Sequence, residues 1–200
     1  MDTKVVECFY VLSSPWAYLG GPKLQDIVRR SRARLVLRPY EWLVVTERTG
    51  GISLRTRPQP RQDYHALELA RWRDHLGMPL NLTPKFYPTD NRAAARMVIA
   101  AQARGLDAMP LSHALLRALW AEDRDIRDPA VREAVASENG FDGAGLRAAE
   151  DAPDTVATFN DNSAEAIARG VFGSPTYVFR GERFWGQDRL DFLDRALMRG

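Results

Sequence analysis

Three short stretches of this chain carry residue types that could do chemistry. The first is Ser14-Pro15, in the run Glu7-Cys8-Phe9-Tyr10-Val11-Leu12-Ser13-Ser14-Pro15-Trp16-Ala17-Tyr18-Leu19. An apolar strand ends there, a hydroxyl follows, and a proline opens a helix. One side-chain oxygen and several unpaired backbone N–H groups then meet at a helix N-terminus, where a small anion is stabilised. The plainer role is that Ser14 only caps the helix. The second stretch, Val171-Phe172-Gly173-Ser174-Pro175-Thr176-Tyr177-Val178, repeats the Ser-Pro pair near the other end. A cis Ser174-Pro175 bond would present the backbone of Ser174 to an extended, peptide-like ligand, as in strand addition; an ordinary trans turn would not. The third is Gln187-Asp188 at the start of the last helix. Asp188 can serve there as a cap. Alternatively, helix N–H groups can take an α-carboxylate while Asp188 accepts from an α-ammonium.

The hydrophobic pattern indicates which elements position them. A strand from Val5 to Leu12, a helix from Pro15 to about Arg30 and a strand from Leu35 to Trp42 form a right-handed βαβ unit. Thr46 to Arg61 has no period and reads as a long loop. Helices follow over Tyr64–Leu76, Arg92–Arg104, Leu111–Glu122 and Asp161–Arg169, with shorter ones over Pro129–Ala136 and Gly143–Glu150. Then Thr176–Phe179 reads as a strand, 180–183 as a turn, and Phe184-Trp185 as the returning strand before a helix bearing Leu190, Leu193 and Leu197. The expected fold is α/β: a thioredoxin-like βαβ…ββα domain from residues 1–60 and 160–200, with a large helical insertion over 61–159.

In a domain of that type the reactive group sits where the first strand meets the first long helix, and a thiol there ionises readily. This chain has serine at that place. Its one cysteine, Cys8, lies in the apolar strand and reads as a buried structural thiol, so a dithiol mechanism is excluded. His65, His75 and His113 have no cysteine partner at zinc-ligand spacing. A serine hydroxyl without a nearby base is a poor nucleophile, but it can donate a hydrogen bond to a thiolate brought in from outside. An anion pocket, a backbone edge and a clamp for a zwitterionic end together match a γ-glutamyl tripeptide thiol, so glutathione is the expected cofactor.

The remaining composition excludes several classes. The chain has 200 residues, 28 basic and 26 acidic, for a net charge of +2, with no long Lys/Arg block, so a dedicated nucleic-acid surface is not expected. No apolar run approaches the roughly 20 residues of a membrane span, and the N-terminus does not read as a signal peptide. A cytoplasmic protein is the expectation.

The chain resembles the 2-hydroxychromene-2-carboxylate isomerase family, a branch of the DsbA-like thioredoxin fold related to kappa-class glutathione transferases. The matching pieces are Phe9-Tyr10-x-x-Ser13-Ser14-Pro15-Trp16-Ala17-Tyr18-Leu19, Val171-Phe172-Gly173-Ser174-Pro175-Thr176 and Phe184-Trp185-Gly186-Gln187-Asp188-Arg189-Leu190, with Tyr64, Arg71-Trp72 and Gly77-Met78-Pro79 between them. The resemblance implies that Ser14 is the active-site serine that binds the glutathione sulfur, that Ser174 supplies the backbone contact before a cis proline, and that Gln187 and Asp188 bind the γ-glutamyl end. It implies a homodimer and a small aromatic carboxylate substrate, isomerised about a double bond by transient thiolate addition. Asn91 lies where relatives carry a polar substrate-side residue. Relatives often carry Asn-x-Pro-Pro in the loop after the second strand. Here 48–61 lacks the asparagine and offers Arg48, Arg55, Arg57 and Arg61 to a substrate carboxylate, with Arg61 the expected contact. A kappa-like glutathione transferase or peroxidase, and a non-catalytic glutathione-binding protein, are the competing readings.

Overall fold

A computed structural model describes residues 4–199. The alternation of buried side chains along Val5–Tyr10 makes it strand β1, the axis of a four-stranded sheet. Cys8 and Tyr10 point into one core cluster, while Phe9 and Val11 point into the other on the opposite face. Helix α1, Pro15–Ser31, crosses over to β2, Arg34–Pro39, which pairs with β1 in parallel from Val5↔Arg34 to Tyr10↔Pro39. Two further strands complete the sheet: β3, Thr176–Phe179, runs antiparallel to β1, and β4, Glu182–Trp185, antiparallel to β3, for an order β2-β1-β3-β4. Helix α9, Leu190–Arg199, closes the chain and buries Leu190, Leu193 and Leu197.

Between β2 and β3 the chain runs through α2 (Trp42–Thr49), a 3-10 turn (Leu54–Thr56), α3 (Gln59–Leu76), α4 (Arg92–Ala103), α5 (Met109–Trp120), α6 (Pro129–Glu138), α7 (Gly143–Ala149) and α8 (Pro153–Ala168). Proline stands in the first turn of α1, α3, α5, α6 and α8, where its missing N–H removes no helical bond. Among the described residues no helix is long and apolar enough to cross a membrane.

The α/β thioredoxin-like order expected from the sequence is the one observed. Several element boundaries move. The stretch expected as a loop over 46–61 holds the second half of α2, the 3-10 turn and the start of α3. α2 buries only Val45 and Thr46 among its eight residues, too narrow a face to show a period. The strand expected to reach Trp42 stops at Pro39, because Trp42 already belongs to α2. The expected domain boundaries at 60/61 and 159/160 fall inside α3 and α8. The turn expected over 180–183 narrows to Arg180-Gly181. Both residues have positive φ (50° and 82°), the two-residue turn that matches strand twist.

Two glycines in α1 set the packing around the site. A Cβ on Gly20 would lie 2.8 Å from Cβ of Gln187, and one on Gly21 would lie 2.6 Å from Nδ1 of His113. Only glycine lets the segment after β4 and helix α5 approach α1 this closely.

The helical layer carries one buried ion pair. Arg132 on α6 forms a two-pronged pair with Glu150, their side chains 4% and 5% exposed, and its Nη1 also donates to the carbonyls of Ile126 (2.9 Å) and Arg127 (2.7 Å). Removing one charge leaves the other buried without compensation, at a cost of about 3–5 kcal/mol. Glu150→Gln should therefore lower unfolding stability by that amount in a denaturant titration. The double change Arg132→Met with Glu150→Leu should recover most of it.

Candidate functional site

The site forms where β1 gives way to α1. Ser14 is the N-cap of α1: its φ and ψ of −80° and 120° are extended, and its Oγ accepts from the Ala17 N–H at 3.2 Å. Pro15 brings no N–H, and Tyr18 N–H donates to the Ser14 carbonyl at 3.1 Å. The Trp16 N–H forms no hydrogen bond within the described residues and remains as the donor at the helix start.

The second Ser-Pro pair lies directly against the first. Ser174-Pro175 is a cis peptide. Ser174 Oγ accepts from the Val11 N–H at 2.9 Å, and the Ser174 carbonyl accepts from Ser14 Oγ at 3.4 Å. The segment 160 residues downstream is thus bolted to the end of β1 by one short bond. The longer bond, to Ser14, is at the limit of useful hydrogen-bond length.

Gln187 and Asp188 enter from β4. The Gly186 N–H donates to the Pro175 carbonyl at 2.9 Å, and Gly186 has φ of 100°, a conformation open chiefly to glycine. The chain then makes a 3-10 turn over Gln187–Arg189. Gln187 is buried against Gly20 of α1. Asp188, which the sequence leaves as either a helix cap or an acceptor from an α-ammonium, lies within the 3-10 turn, its exposed carboxylate on Arg189 Nη1 at 2.6 Å.

Of the two substrate-side residues, Asn91 is brought in and Arg61 is not. Asn91, the N-cap residue of α4, makes no side-chain cap bond; its Nδ2 donates to Ser13 Oγ at 3.0 Å. Arg61 sits in the first turn of α3 with an exposed side chain that reaches none of these residues.

Three contributors went unnoticed in the sequence. Trp120 Nε1 donates to the Ser13 carbonyl at 3.2 Å, so Ser13 is held from two sides. Tyr87, ahead of a second cis bond at Pro88, packs its ring 4.8 Å from Trp120. His65 on α3 meets Trp16 edge-on at 5.5 Å. Burial, reinforced by the charge of Arg57, holds His65 below the usual imidazole range. A tryptophan ending a helix and a histidine in a polar one show no linear spacing to Ser14 that would betray these contacts.

No imidazole or carboxylate hydrogen-bonds Ser14 Oγ among the described residues, so the hydroxyl has no base to make it a nucleophile. Among the same residues no group of three or more His, Cys, Asp or Glu side chains is placed to hold a metal. The arrangement places the Ser14 hydroxyl and the Trp16 N–H at the helix start, beside the cis Ser174-Pro175 bond.

Comparison with known proteins agrees with this fold. A family model for the DSBA-like thioredoxin domain matches residues 5–198. A 2-hydroxychromene-2-carboxylate isomerase of Sphingobium xenophagum is 29% identical, covering 98% of this chain and 99% of its own length. A protein of the same name from Pseudomonas putida is 24% identical, covering 98% and 95%. A solved 2-hydroxychromene-2-carboxylate isomerase superposes with a TM-score of 0.84 at 24% identity, covering 98% and 95%. The cytosolic disulfide reductase DsbM from Pseudomonas aeruginosa, solved with GSH, superposes with a TM-score of 0.69 at 20% identity, covering 97% and 99%.

Cys8 is buried in mid-strand, well away from the helix N-terminus, and burial pushes its thiol far up. Burial does the same to the phenols of Tyr10, Tyr40 and Tyr177. The unfolded chain would release these protons from about pH 8.5 (thiol) and 10 (phenols), while the folded chain keeps them. Stability is then fully present below about pH 8 and falls as pH rises above it. Equilibrium unfolding from pH 7 to 10.5 should show that decline, and Cys8→Ala should shift its onset upward. A thiol reagent should label Cys8 in the native protein no faster than global unfolding allows.

Proposed function

The chain belongs to the DSBA-like thioredoxin-domain family, and from that premise we propose that it is a glutathione-dependent isomerase acting on 2-hydroxychromene-2-carboxylate or a similar aromatic ring-cleavage product. The observation that carries the reading is Ser14 at the start of α1, set against a cis Ser174-Pro175 edge with Gln187 and Asp188 alongside. The relatives named as isomerases match along nearly their whole length, which supports an isomerase acting on a small molecule.

The residues present fit the tripeptide. Ser14 can turn its hydroxyl proton from the Ser174 carbonyl to an incoming sulfur, giving up only the 3.4 Å bond. The Ser174 carbonyl is then free to accept a peptide N–H. Asp188 can exchange its exposed pair with Arg189, an interaction of about 0–1 kcal/mol, for an α-ammonium.

When bound, the glutathione thiol would supply a nucleophile that adds reversibly to an activated carbon–carbon double bond, leaving a single bond free to rotate until the thiol departs. The chain's own part is to favour the ionised sulfur. Ser14 donates one charge-assisted hydrogen bond, worth about 1.5–3 kcal/mol. The start of α1, with the Trp16 N–H, adds about 0.3–1 kcal/mol. At about 1.4 kcal/mol per unit, these contributions lower a thiol pKa by roughly one to three units, enough to reach working pH. Ser13, held by Asn91 and Trp120, keeps the preceding backbone in place.

Ser14→Ala should cut glutathione-dependent turnover by at least about tenfold and cost about 1 kcal/mol of stability through the lost cap. The check is an isomerisation assay with 2-hydroxychromene-2-carboxylate, with and without reduced glutathione, alongside thermal melts. Unchanged kinetics in the variant would sink the role of Ser14. Conjugation of a generic electrophile without isomerisation would make the protein a transferase instead.

A further inference from the structure

Three pairs of rings meet edge-on among the described residues: Trp16 with His65, Trp72 with His75, and Phe172 with Trp185. Only the first pair involves the opening turn of α1. Trp16 stands two residues after Ser14, at the second helical position. Side chains in a helix lean back toward its N-terminus, so an indole there leans toward the end that Ser14 caps.

Helix α3 meets α1 through one stripe of side chains, His65, Leu69, Trp72 and Leu76, spaced i, i+4, i+7 and i+11. Leu69 is buried, and Trp72 and Leu76 pack against the same core cluster. Apolar packing alone would continue the stripe with an aliphatic residue. The chain places a histidine there, its ring centred 5.5 Å from that of Trp16 and turned 87° to it. Burial first, then the Arg57 charge, holds the imidazole below its usual range, so it is uncharged at neutral pH. Both residues are half-buried. Their ring nitrogens make no hydrogen bond among the described residues, and none of these nitrogens is sealed from solvent. The seam between α1 and α3 is thus apolar at depth. At the first turn of α1 it ends in a half-open corner of two perpendicular rings with unused polar atoms.

We infer that Trp16 and His65 form the specificity site for the planar ring of the electrophile that the bound sulfur attacks, the ring stacking on one wall and meeting the other edge-on. This rests on the reading that Ser14 seats a glutathione sulfur, and it adds where the group joined to that sulfur lies. A planar aromatic group suits a right-angled corner better than an alkyl group does, because an offset stack and an edge-to-face contact are the two arrangements that ring quadrupoles favour. The indole N–H and the imidazole nitrogens remain for a hydroxyl or carboxylate borne on that ring.

The test uses two stable thioethers in place of the reacting adduct. S-benzylglutathione carries a ring on the sulfur, and S-methylglutathione does not. Both are titrated calorimetrically into the full chain, with the indole N–H resonance of Trp16 followed by NMR. The benzyl compound should bind about tenfold more tightly and should shift the Trp16 resonance further than the methyl compound does. His65→Leu, and Trp16→Leu, which keeps the backbone N–H, should each weaken the benzyl compound far more than the methyl one. His65→Phe should retain the benzyl preference, since it keeps a ring in the corner. His75→Leu removes the matching pair with Trp72, about 15 Å further along α3, and should change neither affinity. Equal affinity for the two thioethers, no added shift of Trp16 with the benzyl compound, or equal effects of His65→Leu and His75→Leu would each overturn the inference and leave the glutathione reading standing. Binding of neither thioether nor of glutathione would sink both. A benzyl preference carried by Trp16 and His65, in a protein that does not isomerise 2-hydroxychromene-2-carboxylate, would sustain the inference and sink the isomerase reading.

Discussion

The bond from the Val11 N–H to Ser174 Oγ is the constraint on which the site depends. It joins the end of the first strand to a segment that arrives after eight helices. Without it, Ser14 is a capped helix start and Ser174 a turn. With it, the helix N-terminus and the cis Ser174-Pro175 bond lie side by side, the Ser14 hydroxyl 3.4 Å from the Ser174 carbonyl. The glycines of α1 serve the same end, since any side chain at Gly20 would push the Gln187 turn away. The central strand β3 is buried along its whole length, so the edge is anchored by packing as well as by hydrogen bonds.

A thioredoxin-like scaffold usually uses its helix N-terminus to lower the pKa of a thiol built into the chain. Here the same field acts on a serine, whose hydroxyl does not ionise under ordinary conditions. The one thiol the chain owns lies where burial keeps it protonated. The helix N-terminus with its serine is present, and no thiol of the chain's own lies at it. That asymmetry, more than any single contact, favours an imported sulfur over a nucleophilic serine, because nothing around Ser14 Oγ can take its proton.

How legible this was in the sequence follows from what each feature depends on. The strand β1, α1 and the strongly amphipathic α9 read directly, because each buries apolar residues at a regular spacing. Ser14, Ser174 and Gln187 were recognisable because proline and glycine mark the turns that present them. α2 was lost because a helix that buries two residues has no period to detect. Trp120, Tyr87 and His65 were lost for a different reason: their roles come from tertiary packing between helices, and nothing in linear spacing ties position 120 to position 13. Arg61 shows a different limit: a run of arginines identifies a basic segment, but not where each side chain lies, and Arg61 is exposed in the first turn of α3.

The charge pattern around the site has its own logic. Arginine is expensive to leave unpaired where it could meet an acid, and this chain pairs most of its exposed ones locally, through bonds such as Arg92 to Asp90 and Arg127 to Asp125. Such pairs are individually weak, so their value lies less in stability than in cancelling the field that would draw anions to the wrong surface. The stretch 48–61, by contrast, carries four arginines with no carboxylate within 4.0 Å among the described residues, on the connection between the second strand and the helical layer. A chain with a net charge of only +2 cannot attract an anion as a whole. It can do so locally, where arginines such as those of 48–61 stand without an acid of their own.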